Sequence, residues 1–344
     1  MTWRRAQMIA PGLDVPLTVA ESEELPEPLE GWVRLRVERC GVCHRDLIDR
    51  AGRVPFVNFP VAPGHEVCGV IEAVGSAQSR WSIGERVATF HRDACGACAA
   101  CVDDERGLCE RAVQILGITI DGGYSNHLLA PDSALFSVPD TLDARLAATL
   151  ACTYGTAWRA LSRWGEPQPG DVVVVVGAHG GVGRCAVELA ARLGAEVVAV
   201  VRRADDGDLR ALGAAHVVVN TGDRFHRDLP TAPARIVIDC VGPATFNASL
   251  RCLGVGGRLV VVGNIDEQVT ELQLGRIIVY GLQVVGSSGA TEAELKHLLA
   301  WHAERPLRPR FAQCFGVAES EQAMAALRAG DVQGRLLIDP SLDR

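Results

Sequence analysis

The sequence has no run of about 18 or more apolar residues, so a membrane-spanning helix is not expected. It has no surplus of positive charge either. The formal net charge is -8, which argues against a nucleic-acid partner, because phosphate selects for a basic face. The opening residues, MTWRRAQMIAPG, lack the apolar core of a signal peptide, so a cytoplasmic location is expected. In that setting the 12 cysteines are expected as reduced thiols, metal ligands or core residues rather than disulfides. Internal repeats and long low-complexity linkers are also missing. What remains is an ordinary globular composition, with 48% hydrophobic and 22% charged residues. A length of 344 residues suggests about two domains.

The two halves differ in texture. Residues 1–150 are rich in Gly and Pro and carry short β-type runs such as Trp32–Val37 and Val67–Val74, which suggests a compact, mostly-β domain. From about Gly170 strands and helices alternate. Val172–Val176 is a continuous apolar strand, and Val182–Leu193 has apolar residues at helical spacing. Glu196–Val201, Val217–Val219, Arg235–Asp239, Arg258–Val262 and Leu282–Val285 read as further strands. Such alternation implies a doubly wound parallel sheet and an α/β fold class. Helical patterns at Glu292–His302 and Glu319–Arg328 and a strand near Arg335–Ile338 complete the chain.

Cys95, Cys98, Cys101 and Cys109 have the spacing C-x2-C-x2-C-x7-C. Four thiolates close a tetrahedral shell around structural zinc, and Gly96, Ala97, Ala99 and Ala100 are small enough for the turn. An iron–sulfur cluster uses similar sets of four, and four unliganded thiols are the bland alternative. A second, dispersed set consists of Cys43, His65, Glu66 and Cys152. Two thiolates and an imidazole would leave a zinc with an open position, as catalysis requires. Glu66 would be a fourth ligand that yields to substrate, and Asp46 would fix the His65 tautomer. Taken singly, each of these residues reads more readily as structural. Their value comes from occurring together.

The strand Val172–Val176 runs into Gly177-Ala178-His179-Gly180-Gly181-Val182-Gly183 and then a helix. Glycines there allow a tight turn and close approach of a pyrophosphate to the helix N-terminus, although the match to G-x-G-x-x-G is imperfect. An acidic residue at the end of the second strand would bind the ribose hydroxyls of NAD. Val201 stands there instead, followed by Arg202 and Arg203, which favours NADP(H) over NAD(H). Two solvated helix-entry charges would look the same. A closed thiolate site, an open metal site and a nucleotide loop together imply an oxidoreductase that moves hydride beside zinc.

With C-G-V-C-H-R-D (Cys40–Asp46), P-G-H-E (Pro63–Glu66), the Cys95–Cys109 set, Cys152 with Thr156 and the nucleotide loop, the chain resembles the zinc-containing medium-chain alcohol dehydrogenases over nearly its whole length. The resemblance implies a GroES-like, mostly-β catalytic domain formed by residues 1–153 and 290–344. A Rossmann domain, residues 154–289, would be inserted between them. It also implies that Cys43, His65 and Cys152 hold a catalytic zinc, giving two zinc ions per chain with the four-cysteine site. His44 and Arg335 would face the cofactor pyrophosphate and Thr156 the nicotinamide, with Gly263 also beside the cofactor. A homodimer or homotetramer paired around Ile277–Val285 follows from the same resemblance.

One position departs from that pattern. The family places a hydroxyl directly before Asp46, where it relays a proton from the alcohol. Here that residue is Arg45, which stays protonated and cannot relay normally. C-x-R-D resembles the acryloyl-coenzyme A reductase-like branch, as do Val241–Phe246, Val262–Ile265 and Leu274–Ile278. The sequence therefore leads to an NADP(H)-dependent zinc oxidoreductase that interconverts a carbonyl and an alcohol of a small-molecule substrate. Arg45, Asp46 and Glu66 are the candidate catalytic residues. Reduction of an activated C=C bond is the alternative, with Arg45 or zinc holding the carbonyl. A nucleotide-binding protein without catalysis is the alternative from another class. Arg45 could equally serve only in a structural ion pair with an acidic neighbour.

Overall fold

The computed structural model describes residues 2–204, 207–220, 222, 224–266, 268–330 and 332–343. Among them the strands of the first unit's N-terminal part are β1 (Trp3–Gln7), β2 (Thr18–Ser22), β3 (Trp32–Val42), β4 (Glu66–Val74), β5 (Arg86–Thr89), β6 (His127–Pro131) and β7 (Leu135–Ser137). The strands of the second unit are β8 (Val172–Val176), β9 (Glu196–Val201), β10 (Ala214–Val219), β11 (Ala234–Asp239), β12 (Leu253–Val261) and β13 (Gln283–Gly286). The chain ends with β14 (Phe311–Phe315) and β15 (Arg335–Ile338). The first compact unit comprises Met1–Cys152, Thr291–Ala293 and Arg310–Arg344, and the second Thr153–Ala290 and Glu294–Pro309.

The first unit contains an antiparallel ribbon, β1–β2, and a seven-stranded sheet in the order β14-β15-β3-β4-β5-β7, with β6 also paired to β3. Period-two burial explains β3. Val33, Leu35 and Val37 are buried, whereas Arg34, Arg36 and Glu38 between them are not. The inward residues pack with Val67, Leu128, Leu135 and Leu336 into one core. Register then fixes the chemistry. β3 and β4 pair antiparallel with Gly41 opposite Glu66, and β15 pairs with β3 so that Leu337 is opposite Gly41.

The second unit is built on six parallel strands in the order β10-β9-β8-β11-β12-β13. All five valines of β8 are buried, as expected of a strand covered by helices on both faces. The order reverses between β8 and β11. Open α/β sheets bind ligands at such a switch point, outside the carboxyl ends of the strands. The sequence reading keeps 290–344 together, whereas 294–309 lie with the parallel sheet. Side-chain contacts explain this. In the helix Glu292–Glu304, the His297 ring stacks on Trp158 at 4.8 Å between centroids, and Trp301 meets Trp158 edge-on at 5.3 Å. Glu294 accepts from Arg159 at 3.1 Å. No helix of the described residues is long and apolar enough to cross a membrane.

Candidate metal centres and nucleotide loop

In the four-cysteine loop the Sγ atoms of Cys95, Cys98, Cys101 and Cys109 all lie within 4.8 Å of one another. Backbone N–H groups converge on the sulfurs. Cys95 Sγ accepts from the amides of Ala97 and Cys98 at 3.5 and 3.3 Å, and Cys109 Sγ from that of Cys95 at 3.4 Å. Such donors stabilise thiolate over thiol. The backbone N–H groups of Cys101 and Glu110 bring the Cys98 thiol down to about 6, while burial pushes the Cys101 thiol up to about 12. The donor set therefore fits a cation bound by four thiolates.

Cys43, His65, Glu66 and Cys152 also place one ligand atom each within 4.8 Å of the others. Three different pieces of structure deliver these groups. Cys43 follows β3 and is the N-cap of the helix His44–Arg50; its backbone N–H donates to Asp46 Oδ2 at 2.9 Å in a capping box. Glu66 begins β4, and His65 directly precedes it. The His65 carbonyl accepts from Thr89 Oγ1 at 2.7 Å, which anchors it to β5. Cys152 lies in a wide helical turn, Ala151–Gly155. His65 Nε2 is 3.6 Å from Cys152 Sγ, and its Nδ1 is 3.4 Å from Asp46 Oδ1.

Electrostatics single out this cluster. A hydrogen bond from Cys152 holds the Cys43 thiol well below the ordinary range, and neighbouring His65 helps against the cost of burial. The same contact, together with burial, pushes Cys152 up. Burial pushes Glu66 up to about 7, against the pull of the Arg335 guanidinium. Glu66 Oε2 accepts from Arg335, while buried Oε1 has no hydrogen-bond partner among the described residues. An orphaned buried carboxylate oxygen beside two thiols and an imidazole is what a metal ligand looks like. The sequence reading assigns Arg335 to the cofactor pyrophosphate; in this structure β15 brings its guanidinium to the buried Glu66 carboxylate. Gly41 is required by the same arrangement, because a Cβ there would collide with the Glu66 carboxylate.

Arg45 is half-buried, and its Nε donates to Asp49 Oδ1 at 2.7 Å, one helical turn on. Burial pushes Asp49 up to about 6, and Arg45 opposes that shift. His44, beside Cys43, is exposed. Sequence reading missed three residues around this cluster. Thr89, at the end of β5, holds the His65 carbonyl, and Tyr124, in the loop before β6, holds Asp46. The His91 ring lies 4.7 Å from that of His65, and its buried Nε2 has no hydrogen-bond partner among the described residues. Nothing in local spacing signals them.

In the second unit β8 runs into Gly177, which has a φ of +78°, and then into the helix Gly181–Arg192 with Gly180 as N-cap. A Cβ on Gly183 would stand 2.8 Å from Ala178 Cα, so glycine permits the close helix–strand packing of a dinucleotide loop. Gly180 is exposed, Gly181 and Val182 are half-buried, and Thr156 is buried. Gly263 packs against the Cys240 carbonyl at the end of β11, where a Cβ would collide. Arg202 and Arg203 are exposed directly after β9.

These features have relatives. The alcohol dehydrogenase GroES-like domain is matched over residues 29–140, and the zinc-binding dehydrogenase domain over residues 181–304. The chain belongs to the zinc-type medium-chain dehydrogenase/reductase family. The enzyme is 32% identical over 324 residues to the acryloyl-coenzyme A reductase of Sulfurisphaera tokodaii, covering 92% of this chain and 96% of that protein. It is 32% identical over 295 residues to an alcohol dehydrogenase of Geobacillus stearothermophilus, covering 84% and 86%. A thermostable alcohol dehydrogenase from Pyrobaculum aerophilum superposes with a TM-score of 0.89 at 31% identity, covering 99% of this chain and 100% of that one. The enzyme is accordingly an oxidoreductase with GroES-like and Rossmann-type domains.

Proposed function

We propose that this dehydrogenase is a zinc-dependent, NADP(H)-linked enzyme that interconverts a carbonyl and an alcohol of a small-molecule substrate. The observation that carries the reading is the convergence of Cys43, His65, Glu66 and Cys152, with one carboxylate oxygen left orphaned. Cys43, His65 and Cys152 would hold the zinc, and Glu66 would serve as the ligand that yields to substrate. Zinc in such a site supplies Lewis acidity to a substrate oxygen. The nicotinamide supplies or accepts hydride.

The protein's own groups prepare that chemistry. Asp46 faces His65 Nδ1 and so leaves Nε2 as the ligand nitrogen. Asp49 holds Arg45 through Nε, and the two Nη groups make no hydrogen bond among the described residues. They are available to an oxygen on which negative charge develops. Cys95, Cys98, Cys101 and Cys109 would hold a second, structural zinc. Arg202 and Arg203 would hold a 2′-phosphate, Gly177–Gly183 the pyrophosphate, with His44, Thr156 and Gly263 also assigned to the cofactor. A homodimer or homotetramer is assigned through β13, an edge strand beside exposed Leu274, Ile278 and Val279. A cytoplasmic location completes the reading.

A second reading has its own support. Arg45 stands where alcohol oxidation would use a hydroxyl, and a 32%-identical relative is an acryloyl-coenzyme A reductase. In that case hydride goes to the carbon β to the carbonyl, and a solvent proton goes to the α carbon. One reaction separates the two. With NADPH and an enone, the first reading gives an allylic alcohol and the second a saturated ketone. No turnover of carbonyl or enone panels by zinc-replete enzyme would defeat both.

A further inference from the structure

Asp46 is 2% exposed, and among the described residues no Arg or Lys pairs with it. A buried carboxylate without a cation must be held by hydrogen-bond donors. Its Oδ2 has two, the Cys43 backbone N–H at 2.9 Å and the Tyr124 hydroxyl at 3.1 Å. With Oδ2 so engaged, Oδ1 is the oxygen turned to His65 Nδ1. Tyr124 is itself 0% exposed, and Asp46 is its only hydroxyl partner among the described residues.

The Tyr124 ring is held as firmly as its hydroxyl. The Tyr124 backbone N–H donates to Pro63 O at 3.0 Å, and its carbonyl accepts from Ala6 N at 2.9 Å. The preceding residue, Gly123, donates to Gly64 O at 2.8 Å. Tyr124 is therefore laced to the segment that carries His65. Gly64, at a φ of +100°, leaves the space the ring fills, since a Cβ there would be 2.6 Å from Tyr124 Cδ1. One residue thus fixes both partners of the His65–Asp46 pair, the backbone approach of one and the carboxylate rotamer of the other.

We propose that Tyr124 is a positioning residue of the Cys43–His65–Cys152 centre, acting through Asp46 to hold His65 with Nε2 toward the ligand set. This rests on the reading of that cluster as a zinc site. Outer partners of a metal-bound histidine tune affinity by roughly 10–100-fold. Tyr124→Phe keeps the ring and its packing but removes the donor. It is expected to weaken the more loosely held zinc about tenfold, toward the lower end of that range because it acts one bond farther out.

The test uses full-length enzyme, wild type, Tyr124→Phe, Asp46→Asn and the double variant, with zinc as the probe. Chelator competition gives the affinity of each zinc. Cobalt substituted at the looser site reports its ligand geometry by visible absorption. Melting curves report the fold. The expected pattern is weaker zinc and an altered cobalt spectrum in Tyr124→Phe, a near-wild-type melting temperature, and no further loss when Tyr124→Phe is added to Asp46→Asn. Unchanged zinc affinity and spectrum would overturn the proposal, even with a lower melting temperature, because that is a packing role. Fully additive losses would overturn action through Asp46. Wild type that binds zinc only at the four cysteines would instead remove the underlying zinc reading, and the proposal with it.

Discussion

The two thiol-bearing clusters hold similar atoms and are built in opposite ways. Cys95, Cys98, Cys101 and Cys109 come from one short loop, and their sulfurs are surrounded by the loop's own amides. Cys43, His65, Glu66 and Cys152 come from a helix cap, a strand start and a helical turn far apart in sequence. A local site gathers its ligands by turn chemistry, so its geometry depends on bound metal. A dispersed site inherits its geometry from a sheet that already has an apolar core. The first should therefore couple to stability and the second to activity.

The largest expected effect tests the local half of that contrast. Cys98→Ala should cost the fold several kcal/mol, since structural zinc in peptides contributes roughly 10–16 kcal/mol of folding free energy. Melting temperature and zinc content should both fall; if neither moves, the loop is not a metal site. Cys43→Ala tests the other half. It should lower activity by more than about a hundredfold, beyond the loss for an outer partner, and leave melting almost unchanged. Elemental analysis should show about two zinc ions per chain in wild type, from one closed and one open site, and about one in either variant. A melting loss as large as that of Cys98→Ala would erase the contrast.

A smaller effect belongs to the second unit. Charged hydrogen bonds are worth roughly 1.5–3 kcal/mol. Replacing Arg202 and Arg203 with Ala should weaken NADPH binding about tenfold or more, with little change for NADH. Titration of both cofactors checks this, and equal losses would remove the 2′-phosphate assignment.

The last effect concerns Arg45. Burial holds Asp49 protonated up to about 6 in the folded state. Between its ordinary range and that value the folded chain binds the extra proton, so stability falls as pH rises through this window. Arg45 opposes the shift, so Arg45→Thr should carry the loss to higher pH. The variant should melt close to wild type near pH 5 and be weaker by about 1 kcal/mol near pH 8, a value reduced by the exposure of the arginine. It should also raise the KM for carbonyl reduction and improve oxidation of simple alcohols, because threonine restores a relay hydroxyl. Unchanged kinetics per folded enzyme, with the melting loss present, would leave Arg45 as a structural ion pair only.

The sequence by itself determined what depends on near neighbours. The cysteine spacing, the all-valine β8 and its glycine loop, and the alternation of strands and helices follow from local periodicity and turn chemistry. β8, the helix Gly181–Arg192 and β9 stand where the apolar pattern put them. Only the tertiary structure decided who meets whom around the dispersed cluster. Arg335 reached Glu66 because β15 pairs with β3 and β3 with β4. Tyr124 reached Asp46 across 78 positions of sequence. The helix Glu292–Glu304 contributes its aromatic face to Trp158. A buried charge or phenol takes the partner that the sheet register brings within reach, and register is a property of the whole core rather than of any short stretch of chain.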